Sequence, residues 1–340
     1  MAYSDTGVKA DSRPQARIGW VDVAKGIAIL LVIVGHTLSS GGMPWKAVFS
    51  FHMPLFFILA GYTFRARKWG ELVSSSARRL LFPYVLMFLL LVVRSDAGLF
   101  LEPCKLLESL SYALAYQPKQ LAWIVDIPYV GAIWFLLCMF MSRMYLNAVL
   151  EFFGRHPMHL AVRLAAMGAL AYCGVLAGRR ILVPFTLDIA FVGAFFMYLG
   201  WEFRELDLAT SLRGWKLTVL AAFLWALAFA WSGLEMGARD YTAFPLAVVC
   251  ACAGSFVCVN AAMFLDSAAQ EGAGLIVPAT RYLAFMGRES MAVFCVHCFE
   301  SGVIAWRKLP FLVGVPGEGL VAGILRVTFA SLIMLLMGIL

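Results

Sequence analysis

The sequence predicts an all-α fold, a polytopic integral membrane bundle of about ten transmembrane helices. Of its 340 residues, 62% are hydrophobic and 14% charged, and the mean hydropathy is +0.85. Such a chain cannot coat a soluble globule with polar surface but suits a lipid solvent. Apolar runs of roughly 17 to 25 residues recur along its length, each able to cross about 30 Å of hydrocarbon as a helix. They lack the alternation of a β-barrel.

Residues 1–19 are polar, with no charged start leading into a short apolar region and cleavage site, so they read as a cytosolic tail. Residues 20–340 read as one membrane domain with no internal repeat. Spans are expected near 20 to 39, 47 to 64, 80 to 96, 128 to 149, 158 to 177, 182 to 201, 215 to 233, 242 to 264, 282 to 304 and 318 to 340. The loop after the second span carries Arg65, Arg67, Lys68, Arg78 and Arg79, and the tail carries Lys9, Arg13 and Arg17. Both should face the cytosol, and an even span count puts both termini there. Arg179, Arg180, Arg307 and Lys308 oppose this orientation, although early loops usually dominate. Between Gly98 and Asp126, the run Leu106 to Ala115 is too short to span and suits an interfacial or re-entrant helix.

Net charge is +7, but the basic residues flank membrane spans, where orientation signals and anionic lipid contacts belong. Membrane lipids are thus expected partners and nucleic acid is not. The eight cysteines fall mostly inside apolar runs and suggest no disulfide. No metal site is expected either, since His156 and His159, three apart around a proline in a loop, suit headgroups better than a metal.

Ionisable side chains inside spans are costly and usually face a bundle interior. In the first span Lys25 and His36 are eleven residues apart, which returns to nearly the same helix face roughly 16 Å further along. One helix would then present a cation and an imidazole to the same cavity at two depths; alternatively both simply snorkel to opposite headgroup layers. Alternating spans put His36, His52 and His297 at one depth, where an imidazole can take a proton from an acceptor hydroxyl. Lys25, Arg78 and Arg79 fall at the other end, where cations suit a phosphorylated donor. His52 and His297 are equally compatible with plain packing, and the basic loop with a pure orientation signal.

The segments WVDVAKGIAILLVIVGH, FHMPLFFILAGYTF and RRLLFPY, followed in order by IWFLLCMF around Trp134, LDIAFVGAFFMYLGW with Asp188, and MGRESMAVFCVH ending at His297, resemble acyltransferase family 3 membrane proteins. That family includes sugar O-acetylases of bacterial surface polysaccharides, near the fucose 4-O-acetylase-like group. Its motif, a basic residue followed by ten residues and then His, is met by Lys25 and His36, although arginine is commoner at the first position. The resemblance implies that His36 is the catalytic histidine, that Lys25 takes the basic motif position, and that Arg78 and Arg79 belong to the basic loop. It implies acyl-CoA, with acetyl-CoA foremost, as donor from the cytosol, a carbohydrate or glycolipid acceptor, and a place in the bacterial inner membrane.

On this reading His36 deprotonates the acceptor, with Asp188, His52 or Glu300 as candidates to orient it, or it carries the acyl group itself. Tyr62, Trp134, His297 and Glu300 are candidate substrate contacts, although aromatics are common at span ends. Two rivals remain: an exporter of polysaccharide or lipid-linked precursor, and a substrate-recruiting module of a larger enzyme such as a membrane-bound racemase, which a soluble domain after residue 340 would favour.

Overall fold

The computed structural model describes residues 17–95, 97–116, 127–156, 158–304, 306, 309 and 318–337. The expected tail up to residue 16, together with Arg307 and Lys308, lies outside the described residues.

The first helix, α1 (Gly19–Gly35), is apolar on nearly every face, as a helix enclosed by others must be. It packs against α3 (His52–Tyr62), α12 (Phe244–Gln270), α13 (Ile276–Arg288) and α15 (Glu318–Leu336). Its crossing with α13 is backbone on backbone. A Cβ added to Gly26 would lie 2.0 Å from the Leu283 carbonyl oxygen, and one on Gly287 1.8 Å from that of Asp22. Small residues let membrane helices approach this closely without an aqueous hydrophobic drive. The same device joins α3 to α9 (Leu187–Glu205), where Gly61 and Gly200 abut the carbonyls of Met197 and Ile58.

Short α2 (Met43–Phe49) leads into α3. Next, α4 (Trp69–Ser76) continues through a π-helical turn, Ala77–Leu81, into α5 (Phe82–Ser95). Arg78 and Arg79, expected in a loop, are therefore part of a helix, and the third span begins well before residue 80. A charged stretch that leaves the hydrocarbon can stay helical because its backbone bonds are internal to the segment. The amphipathic α6 (Pro103–Tyr112) occupies the expected re-entrant region. Then come α7 (Trp134–Arg155), α8 (Leu160–Arg180), the single turn α10 (Leu208–Ser211), α11 (Trp215–Phe229) and α14 (Ser290–Val303).

Among the described residues, seven helical stretches are long and apolar enough to cross a membrane. They are Met43–Tyr62, Trp69–Val93, Gly131–Arg155, Leu160–Arg180, Pro184–Glu205, Phe244–Gln270 and Glu318–Leu336. The all-α class holds, while the expected count of about ten is not confirmed among the described residues. α1 has 17 residues and α11 has 15, and the span expected over 282 to 304 is broken at Glu289 between α13 and α14. At 1.5 Å per residue, fifteen residues cover about 22 Å, short of a full hydrocarbon core. Exposed side chains such as Phe223 and Leu227 on α11, and Ile324 and Leu332 on α15, give these helices an apolar outer face that lipid would cover.

Candidate active site

Two cavities meet on α1. The larger, about 590 Å³, is reached by Lys25 from α1, Arg67 from the connection after α3, Arg78 and Arg79 from the π turn, and Arg143 from α7. No carboxylate lines it among the described residues. Five cations with no carboxylate among the described lining residues give it a positive potential. π-helical turns are rare and cluster at functional sites, and this one places two successive arginines on one cavity.

The chamber is built deliberately around Arg67. Asn147 on α7 clamps that residue's backbone, its Oδ1 accepting the Arg67 N–H at 3.1 Å and its Nδ2 donating to the Arg67 carbonyl at 3.3 Å. Just before it, α3 ends in unpaired carbonyls, as every helix must. Arg204 from α9 donates Nη1 to the Tyr62 and Phe64 carbonyls at 2.9 and 2.5 Å. Arg143 donates Nε to the Ser76 hydroxyl at 3.1 Å and lies over the Phe64 ring at 5.2 Å, which fixes its charge against the chamber wall.

The smaller cavity, about 40 Å³, is lined by His36, His52, Trp134, Tyr116 and Glu235 among others. His36 is the residue on which α1 ends, and its side chain is exposed although Gly35 and Thr37 beside it are buried. The imidazole therefore opens into the pocket instead of filling the core. His52 is buried and its Nδ1 lies 2.9 Å from the Val48 carbonyl oxygen. That nitrogen must carry the proton, so Nε2 keeps a lone pair. Phe49 stands edge-on to both rings, 5.9 Å from His36 and 4.7 Å from His52.

His297 from α14 lies behind His36 with ring centroids 5.2 Å apart. Its Nδ1 is 3.1 Å from Glu300 Oε1 and 3.0 Å from Arg326 Nη2. Arg326, from the middle of α15, also donates Nε and Nη2 to Glu300 Oε1 at 2.8 and 2.6 Å, and donates to the Ser301 hydroxyl. Trp306 donates its indole N–H to the other Glu300 oxygen. His297, Glu300 and Arg326 are each no more than 4% exposed. A charge so deep in a membrane bundle persists only when paired and hydrogen-bonded.

The structure thus gathers His36, His52, His297 and Trp134 at one end of α1, with Glu300 behind, and Lys25, Arg78 and Arg79 at the other. Two candidates lie elsewhere. Tyr62 sits at the basic end, against Trp20 at 4.9 Å, about 15 Å along α3 from His52. Asp188, in the first turn of α9, is engaged by Arg239, with Oδ2 2.6 Å from Nε and Oδ1 3.3 Å from Nη2. That buried pair anchors the loop containing Glu235 and Gly237, and Gly237 lies directly beside the Trp134 indole nitrogen. Ser290 lines the large cavity. Arg67, Arg143, Arg326, Tyr116 and Glu235 went unnamed as candidates in the sequence reading. For Arg143 and Arg326 the signal was there, a lone arginine inside an apolar run. Among the described residues no group of three His, Cys, Asp or Glu side chains is disposed to hold a metal ion.

Fold and site together define a helical membrane protein with a cation-lined cavity and a histidine pocket on one helix. The chain belongs to acyltransferase family 3: a family model described as an acyltransferase domain matches residues 18–340. Among curated proteins, nodulation protein NolL of Mesorhizobium japonicum is 26% identical over 199 residues, covering 53% of this chain and 48% of that protein. The match spans about half the length of that relative. No solved structure matches.

Proposed function

We propose that the protein moves an acyl group, acetyl in the first instance, from acyl-CoA to a hydroxyl of a carbohydrate-like or glycolipid acceptor. The observation that carries this reading is the pair of cavities on α1, a large one lined by five cations and a small one lined by an open histidine. CoA is a polyanion on a long arm. Its phosphates would rest among Lys25, Arg67, Arg78, Arg79 and Arg143, and its thioester would point along α1 toward His36. The basic end would face the cytosol of a bacterial inner membrane and the histidine end would face outward, as the positive-inside bias favours.

In the reaction, His36 takes the proton of the acceptor hydroxyl as its oxygen attacks the thioester carbonyl. A C–O bond forms, the C–S bond breaks, and the proton passes from His36 to the departing CoA thiolate. Trp134 and Tyr116 beside the pocket offer flat apolar faces on which a sugar ring can stack. NolL is named for nodulation, and that word names no substrate for this chain.

The test is CoA release and ester formation by purified protein in lipid, with acetyl-CoA and a panel of simple sugars. His36→Ala should lower turnover at least about 100-fold, the lower range of general-base contributions. Retained turnover would remove His36 from the chemistry.

A further inference from the structure

The two cavities are not simply neighbours: three residues line both. They are Val32 of α1, Met53 of α3 and Phe294 of α14, all apolar and from three different helices. Val32 lies one helical turn before His36, so a donor threading from the basic chamber must pass this ring of side chains to reach the imidazole. Val32 and Phe294 are buried, at 3% and 7% exposure, while Met53 is half-buried.

The ring is stiff on one side. Phe294 stands edge-on to Phe135 with centroids 6.0 Å apart, and Phe135 is in turn edge-on to Phe57 at 5.4 Å and to Trp134 at 6.2 Å. Val32 is β-branched and held on a packed helix, with one preferred rotamer. Met53, unbranched and with three rotatable bonds, is the member able to move aside.

The volumes on the two sides are very unequal, about 590 Å³ before the ring and about 40 Å³ beyond it. The inner pocket is only a few times the roughly 10 to 15 Å³ that a cavity needs to hold one water, so it admits a small group and not a long chain. An acetyl group has three heavy atoms: the methyl carbon, the carbonyl carbon and the oxygen.

We infer that Val32, Met53 and Phe294 form an acyl-length gate, which restricts transfer to short acyl groups, with Met53 as its movable leaf. This inference rests on the acyl-CoA reading above. The large chamber would bind the nucleotide end of any acyl-CoA equally, so discrimination would fall on turnover and not on binding.

The experiment compares acetyl-, propanoyl-, butanoyl- and hexanoyl-CoA on protein in lipid, following thiol release with simple sugars present, alongside equilibrium binding of each donor. In the wild type kcat/KM should fall at least about tenfold per added methylene, the usual cost of one methylene too many in an apolar pocket. Met53→Ala should raise the butanoyl to acetyl ratio by at least about tenfold, and Phe294→Leu should raise it in the same direction. Dissociation constants should vary less than threefold along the series. Equal turnover of all four donors by the wild type, or an unchanged ratio in Met53→Ala, would overturn the gate while leaving an acyltransferase. Absence of turnover with every donor would overturn the acyltransferase reading and the gate with it. Met53 is only half-buried, so its truncation keeps the test available where a Phe294 variant fails to fold.

Discussion

His36 and His297 face one another at 5.2 Å between ring centroids, tilted by 38°, the first open to the pocket and the second sealed behind it. The sealed ring has its Nδ1 against both a carboxylate and a guanidinium. With a proton on Nδ1 it donates to Glu300, and Nε2 carries a lone pair. Without one, Nδ1 accepts from Arg326 and Nε2 carries the proton. The tautomer of His297 is thus set by which of these two neighbours its Nδ1 engages.

His297 is then a positioning residue, and its removal should act on the chemical step. His297→Ala should lower kcat at least about tenfold with the KM for acetyl-CoA within about threefold of wild type, the signature of an interaction made only in the transition state. A matched rise in KM, or no change in kcat, would assign the residue to packing.

The donor chamber calls for the opposite split. Arg143 projects a half-buried charge into a cavity where no carboxylate among the described residues offsets it. A hydrogen bond to a charged group contributes about 1.5–3 kcal/mol, so Arg143→Gln should raise the KM for acetyl-CoA roughly 10- to 100-fold. Binding should weaken with added salt, because much of this attraction is screened. Titration calorimetry of CoA at two ionic strengths checks both, and salt-independent binding would rule out phosphate capture by this cluster.

Much of this was legible in the sequence. An apolar run long enough to need a helix in lipid announces itself, and the eleven-residue spacing of Lys25 and His36 already puts a cation and an imidazole on one face. Convergence of His36, His52 and His297 follows from alternating spans. What composition conceals is where backbone geometry departs from hydropathy. The helix over Trp69–Ser76 reads as a polar loop, and the break at Glu289 falls on a short charged stretch, Arg288 and Glu289, between two apolar runs that read as one span. Arg326 and Arg143 were visible as isolated charges, but their partners lie 26 and 67 residues away, at Glu300 and Ser76, and no local pattern encodes such pairings. Tyr62 shows the reverse limit, since its helix is legible but the end it occupies is the basic one.

The pairing of Asp188 with Arg239 makes the last prediction. Both side chains are buried, and Arg239 adopts a left-handed backbone, φ 58°, unusual for a residue with a Cβ. The ion pair is one tie on the loop from Leu234 to Tyr241, alongside the Glu235–Asp240 backbone bridge and the Arg179 donation to the Tyr241 carbonyl, and that loop presents Glu235 and Gly237 to the histidine pocket beside Trp134. Removing one partner strands the other charge in the bundle, at a cost of about 3–5 kcal/mol. Replacing both by neutral side chains should cost less than the sum of the single changes. Asp188→Asn and Arg239→Met should each lower the midpoint of thermal unfolding in detergent, and the double variant should recover part of the loss. Because the loop borders the acceptor side alone, the double variant should also bind CoA within about threefold of wild type while its KM for sugar acceptors rises. Additive destabilisation in the double variant would show that the two residues act independently, and a weakened CoA affinity would move this pair from the acceptor side to the donor side.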